Sequence, residues 1–177
     1  TRDQVAASRQ LAKDKMDAIA PGSLVAFTDG SANPNPGPCG AGAHLFVHAG
    51  AEDDWSDEAW AALGQGSNNV GELWAIGMAV QMALRRLTSP PHAHNHFHVF
   101  TDSAYAKGCI DGGWKASTNV ALIKAVKNII TSIPHHTTFH LDWVPAHVGF
   151  AHNEHADSLA DLGSTSSRKG AINVPQP

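Results

Sequence analysis

Apolar positions along this chain fall into short runs with two alternating periods. LVAF inside SLVAFTDG is a continuous apolar run ending in a turn, which predicts a buried strand. CGAGAHLFVHA predicts a second strand, with Gly40 and Gly42 allowing another backbone to approach closely. AEDDWSDEAW is polar and predicts a hairpin region, followed by a short third strand from Trp60 to Leu63. From Asn69 to Leu87 the period becomes helical, and Ser89-Pro90-Pro91 stops the helix. HFHVFT predicts a fourth strand, SAYAKGCI a short helix, and STNVALIKAVKNIITSI a longer amphipathic helix opened by a Ser/Thr cap. TFHLDWVP predicts a fifth strand, and NEHADSLADLG a last helix closed by Gly163. Ahead of all this, Thr1 to Ala20 carries only Val5, Leu11, Met16 and Ile19 as apolar points among polar residues, which predicts a solvated surface helix ended by Pro21-Gly22. The organisation expected is an N-terminal extension or linker over 1–22, one domain over 23–164, and a loose Ser/Pro-rich tail over 165–177. Strands first, then strands alternating with helices, argue for an α/β domain with a mixed sheet and helices packed against it.

Composition narrows the class. The 177 residues are 42% hydrophobic and 16% charged, which suits one globular domain able to bury a core. No run of about 18 apolar residues predicts a membrane span. The N-terminus lacks the pattern of a secretory signal, and also an initiator Met, which leaves a larger parent protein open. The two cysteines, Cys39 and Cys109, form no CxxC pair and read as free thiols of an intracellular protein in a reducing compartment. The formal net charge of −4 argues against a strong free-standing nucleic-acid binder. Part of that acidity belongs to a candidate metal site, whose charge is offset when divalent ions bind.

Four stretches each carry one carboxylate where a metal-dependent nuclease needs it: Asp29 in FTDGSANPNPGPCGAG, Glu72 in SNNVGELWA, Asp102 in VFTDSAY, and Asp157 in WVPAHVGFAHNEHADSLA. Phosphodiester hydrolysis builds negative charge on the attacking water, the phosphate and the leaving oxygen, and two divalent cations about 4 Å apart can stabilise it. Hard carboxylate oxygens suit Mg²⁺. The predicted elements bring these acids together, with Asp29 and Asp102 at strand ends and Glu72 and Asp157 in the first turns of helices. Taken singly, each acid could instead open a turn or complement a helix dipole.

In this order and with these neighbours, the four motifs resemble the type 1 ribonuclease H family, over Leu24 to Leu162. The resemblance implies a ribonuclease H-like fold with a five-stranded mixed sheet. It implies an endonuclease that cuts the RNA strand of RNA/DNA hybrids, leaving 5′-phosphate and 3′-hydroxyl ends. Asp29, Glu72, Asp102 and Asp157 are implied to hold two Mg²⁺ ions, with Mn²⁺ as a substitute. His147, in VPAHVG before the last helix, matches the family's catalytic histidine, placed to shuttle a proton or help the product leave. Asp161 matches no catalytic position and reads as a solvated helix acid, and Glu154 as a helix-start residue. His92, His94, His96 and His98 alternate through HAHNHFH. Alternation puts them on one side of a strand, so a solvated loop and edge is expected in place of a tetrahedral Zn²⁺ site.

Telling RNA from DNA requires reading 2′-hydroxyls. Ser31, Asn35 and Gly37 resemble the family's first RNA-contacting loop, and Asn68 and Asn69 the second. Ser67 matches a small hydroxyl residue that holds a DNA phosphate, while Gln65 replaces an Arg found there in some members. Ser67 and Asn68 can equally cap the helix. Between Gly108 and Lys115 the chain lacks the basic, Trp-bearing insertion with which many cellular enzymes grip DNA, so no basic handle helix is expected. Trp114 and Lys115 remain as candidate contacts, with Trp114 either stacking on nucleic acid or packing in the core. Retroviral and retroelement domains also lack the insertion and lean on an attached reverse transcriptase; the chain is similar to such a domain, and a free-standing enzyme, monomeric in isolation, is the alternative. The competing classes are another nuclease on the same fold, which would lack the GSANPNPG and SNN loops, and a non-catalytic module, in which loss of an acid is expected.

Overall fold

One mixed sheet carries the molecule in the computed structural model, which describes residues 1–48, 55–91, 93–147 and 149–173. Its strands are β1 (Leu24–Ala32), β2 (Gly37–Val47), β3 (Ser56–Gly66), β4 (His96–Thr101) and β5 (Thr138–Trp143), in the order β3-β2-β1-β4-β5. β1, β2 and β3 form an antiparallel meander, while β4 and β5 run parallel to β1. The helices are α1 (Arg2–Asp17), α2 (Asn68–Leu87), α3 (Ala104–Ile110), α4 (Val120–Ile130) and α5 (Ala151–Arg168). The expected five-stranded α/β fold is the one observed. Only loop connects α3 to α4, so no handle helix lies between them.

Strand alternation divides the core in two. Leu24, Ala26, Leu45, Phe97, Val99 and Leu141 face one side, where α2 lays Leu73, Ile76 and Val80 over them and α4 adds Ile123 and Val126. Val25, Phe27 and Phe100 face the other side, with Phe27 and Phe100 stacked at 5.0 Å between ring centroids. α1 and α5 pack there. α1 is not simply solvated: Ala12 and Met16, with Ile19 just beyond the helix, are buried in this second cluster.

Three element boundaries differ from expectation for identifiable reasons. The third strand begins at Ser56, because the polar residues Ser56, Asp57 and Glu58 pair with Phe46, Leu45 and His44; an edge strand tolerates polar side chains. The polar hairpin expected over 51–54 lies outside the described residues. α4 opens at Val120, where Asn119 sits in left-handed backbone with no side-chain cap, so Ser117 and Thr118 do not start the helix. α5 runs through Gly163 to Arg168, so the first residues of the expected tail are helical. Gly163 serves close packing and not termination. A Cβ there would lie 2.2 Å from the Ala61 carbonyl oxygen and 2.9 Å from Gly40 Cα. Past it, Ser167 donates to the Cys39 carbonyl at 2.6 Å and accepts from Gly64 N at 3.0 Å, pinning the last turn to the sheet.

The histidine run also departs from a solvated edge. His94 is buried; its Nε2 accepts from Arg86 Nε at 3.0 Å, which leaves Nδ1 to donate to the Gly22 carbonyl at 2.8 Å. His96 and His98 lie on β4, an interior strand, and both are half-buried. His92 lies outside the described residues.

Candidate active site

The parallel pairing of β1 with β4, Thr28 opposite Thr101, brings Asp29 beside Asp102. Asp102 follows the last residue of β4 as expected, but Asp29 lies inside β1, which runs on to Ala32 because its pairing with β2 continues past the acid. Glu72 reaches them because α2 crosses β1 almost backbone to backbone. A Cβ on Gly30 would meet Glu72 N at 2.3 Å, and one on Gly71 would meet the Gly40 carbonyl at 2.6 Å. Ser67 caps α2, its Oγ accepting from Val70 N at 3.3 Å, which starts the helix one residue earlier than expected and puts Glu72 just past the first turn. Asp157 likewise sits in the second turn of α5.

Carboxylate oxygens of Asp29, Glu72 and Asp102 all lie within 4.8 Å of one another. Asp29 and Glu72 are 5% and 7% exposed, so their mutual repulsion is little screened. Burial, and then the charges of Glu72 and Asp102, push the Asp29 carboxyl far above the usual carboxylate range, with a smaller push from Asp157, which lies outside the group of three. Burial raises Glu72 as well, against a hydrogen bond from Asp29. Asp102 is raised by burial, offset by the charge of His147 and a hydrogen bond from Asn153. Glu72 Oε2 is buried with no hydrogen-bond partner among the described residues, and so is Asn153 Oδ1. A bare buried carboxylate oxygen facing two further acids is costly unless a cation meets it. The donor set is all oxygen and anionic, which fits a hard divalent ion.

Two residues were not singled out by the sequence. Asn153, one turn before Asp157, lies close enough to Asp102 to hold its carboxyl down. Trp143 at the end of β5 donates its indole N–H to the Asp102 backbone carbonyl at 3.0 Å. The only sequence signal for either is its spacing from an acid. His147 is exposed, in left-handed backbone (φ 52°), and close enough to Asp102 for their charges to interact. Arg9 of α1 lies against Gly149 in the same loop.

The polar loop residues knit the site's rim. Asn68 N donates to Asn35 Oδ1 at 3.0 Å, and Asn68 Oδ1 accepts from Ala32 N. Gly37 opens β2, paired with Gly66. Ser31 Oγ donates to Asp161 Oδ1 at 2.8 Å, so Asp161 is a bridge between α5 and β1. Asn69 is exposed in the first turn of α2. Trp114 is 55% exposed with its ring against Gly108, which settles it outside the core. It borders a depression that also takes in Lys124 and Lys127, with Lys115 exposed alongside.

A mixed five-stranded sheet with three carboxylates packed together beside it fits a metal-dependent nuclease class. The RNase H family profile matches residues 21–165. The ribonuclease H of Jannaschia sp. (strain CCS1) is 33% identical over 160 residues, covering 83% of this chain and 94% of that protein. Among solved structures, the N-terminal RNase H domain of a Mycobacterium tuberculosis protein superposes with a TM-score of 0.65 at 22% identity, over 85% of this chain and 99% of that one. LC11-RNase H1 from compost, solved with an RNA/DNA hybrid, gives 0.64 at 20% identity over 82% and 99%. The chain belongs to the RNase H family and is a nuclease of the hydrolase class.

Proposed function

We infer that this chain cuts the RNA strand of RNA/DNA hybrids endonucleolytically, with Asp29, Glu72, Asp102 and Asp157 holding two Mg²⁺ ions. The observation that carries this reading is the packing of three carboxylates within 4.8 Å, one of them presenting a buried oxygen with no partner. Mg²⁺ bound there supplies Lewis-acid stabilisation of the charge developing on the phosphate, the attacking water and the leaving oxygen. The acids themselves fix where that stabilisation falls. Asn153 favours the charged form of Asp102, and Trp143 anchors its backbone. His147, exposed beside Asp102, delivers a proton to the departing 3′-oxygen, which leaves a 3′-hydroxyl and a 5′-phosphate.

The rim suits a hybrid. The loop holding Ser31, Asn35 and Gly37 and the helix start holding Ser67, Asn68 and Asn69 present small polar groups and backbone on the elements that carry Asp29 and Glu72, suited to reading 2′-hydroxyls. Trp114 with Lys115, Lys124 and Lys127 forms the basic, aromatic surface for the DNA strand, in place of an inserted handle. That LC11-RNase H1 was solved with an RNA/DNA hybrid supports the same substrate here. An attached polymerase domain adding to this grip is the arrangement proposed for a longer parent protein. The test is cleavage of end-labelled hybrid, duplex DNA and duplex RNA with Mg²⁺, Mn²⁺ or EDTA. Hybrid-only cleavage that needs the metal and leaves 3′-hydroxyl ends is expected; cleavage of duplex DNA, or metal-independent cleavage, overturns the reading.

A further inference from the structure

On the sheet face opposite α2, β4 and β5 bring together three imidazoles that the nuclease chemistry does not use. His96 and His98 are two residues apart on β4 and so share a face, and His140 on β5 stands directly opposite His98. One ring nitrogen from each lies within 4.8 Å of the other two. His96 Nδ1 and His140 Nε2 are already 3.0 Å apart, and the rings of His98 and His140 stack at 4.2 Å. His98 has no hydrogen-bond partner among the described residues, although it is half-buried on an apolar face beside Val25 and Phe100.

We propose that His96, His98 and His140 form a second cation site, selective for a late first-row divalent ion such as Zn²⁺, which ties edge strand β5 to interior strand β4. Three imidazoles are a borderline-soft donor set that suits Zn²⁺, Co²⁺ and Ni²⁺ and disfavours Mg²⁺. Tetrahedral Zn–N bonds of about 2.0–2.1 Å put ligand nitrogens roughly 3.3 Å apart, close to the His96–His140 separation; His98 needs only a ring rotation out of the stack. Two strands supply the convergence that alternation along one strand cannot. The fourth position falls to solvent, since all three rings are partly exposed. Asp142, two residues beyond His140 on the same face, acts electrostatically on both His98 and His140 and complements the incoming charge. Burial also holds His98 and His140 below the ordinary imidazole range, which favours the neutral rings that a metal needs, and an incoming ion takes the place of the proton shared between His96 and His140.

The site is separate from the acids. His98 is four residues before Asp102, roughly 13 Å along the chain at ~3.3 Å per residue. Its consequence is mechanical, because β5 runs directly into the loop that carries His147.

The test uses the metal-stripped full chain with the acid cluster saturated by excess Mg²⁺. Titration with Co²⁺ should give the intense visible bands of a tetrahedral ion at one equivalent, displaced by Zn²⁺, and Zn²⁺ should raise the melting temperature. His98→Gln and His140→Gln should each weaken Co²⁺ binding by at least ~100-fold, since disturbing even the outer shell of a site costs 10- to 100-fold. His155→Gln should leave it unchanged. If a Gln variant does not fold, ¹⁵N shifts of the three wild-type rings on Zn²⁺ addition answer the same question. Only weak octahedral bands, binding indifferent to His98→Gln and His140→Gln, or ring shifts confined to other histidines would overturn the proposal. Hybrid cleavage in Mg²⁺ alone does not depend on this site, so its loss would count against the nuclease assignment and not against the imidazole site.

Discussion

Asp102 and His98 stand four residues apart, yet the groups gathered round them obey opposite physics. The carboxylates of Asp29, Glu72 and Asp102 are anionic and repel one another in a poorly solvated corner. They come from two strands and a helix, and the helix reaches them only because Gly30 and Gly71 remove side chains from the crossing. The imidazoles of His96, His98 and His140 come from adjacent strands, are partly exposed, and share a hydrogen bond. A cluster of like charges must be forced together by the rest of the fold; a cluster of neutral rings needs only strand alternation and register. The first is therefore sensitive to packing far from the acids, and the second only to its own side chains.

Removing charge from the forced cluster should have the largest effect. Asp102→Asn keeps the volume and removes an anionic ligand, so hybrid cleavage should fall by at least ~10³-fold, the scale for losing a main electrostatic stabiliser. Circular dichroism should be unchanged, and the metal-free melting temperature should not fall because repulsion is relieved. A folded Asp102→Asn protein with near wild-type turnover would refute the metal assignment. His147→Ala should lose roughly 10- to 10³-fold through its proton-transfer role. Calorimetry should find Mg²⁺ binding intact; loss of binding together with activity would give His147 a ligand's role.

The third prediction probes the crossing that forces the acids together. Gly30→Ala places a methyl carbon where Glu72 N stands 2.3 Å away, so α2 must shift. Overpacking of this kind costs about 1–3 kcal/mol, and a comparable displacement of a catalytic group can cost ~10²-fold. Denaturant melts and single-turnover cleavage should fall together. Wild-type cleavage in a destabilised Gly30→Ala protein would show that Glu72 is not held by this contact.

The same contrast explains what could be read from the chain. Asp29, Glu72 and Asp102, which the fold brings together, were legible because each sits in a motif bounded by turn residues, and the five strands because their apolar runs are short and punctuated. Gly163 misled because a helix-interior glycine chosen for contact with Ala61 looks like a helix stop. Ser56–Glu58 looked like a loop because an edge strand needs no apolar alternation on its open side. The histidine site was hidden for a different reason. His140 lies 42 positions from His98, and only the parallel register of β5 on β4 brings them opposite each other. Asn153 was hidden likewise, since its partner Asp102 lies on another element.

The smallest predicted effect concerns His44, on the α5-facing side of β2, where a neutral ring is again tolerated and a charged one is not. Burial, reinforced by His155 and His152 and opposed by Glu58, pushes the His44 imidazole down to about 4. Its Nδ1 is buried with no acceptor nearby, so a proton placed there would have nothing to bond. The ordinary value in an unfolded chain is about 6.5. Between those two values the unfolded chain binds more protons than the folded one, so stability is complete above about pH 6.5 and is lost as pH falls towards 4. His44→Phe keeps a ring packed against Phe46 and edge-on to His155 and removes the titration. Its melting temperature should decline less than wild type's between pH 6.5 and 4.5, with the two curves parallel above pH 7. The slope should flatten without vanishing, because His152 is also lowered by burial and still titrates in the variant. Identical slopes for the two proteins would mean that His44 accepts its proton without penalty, and that this face tolerates charge as the acid corner does not.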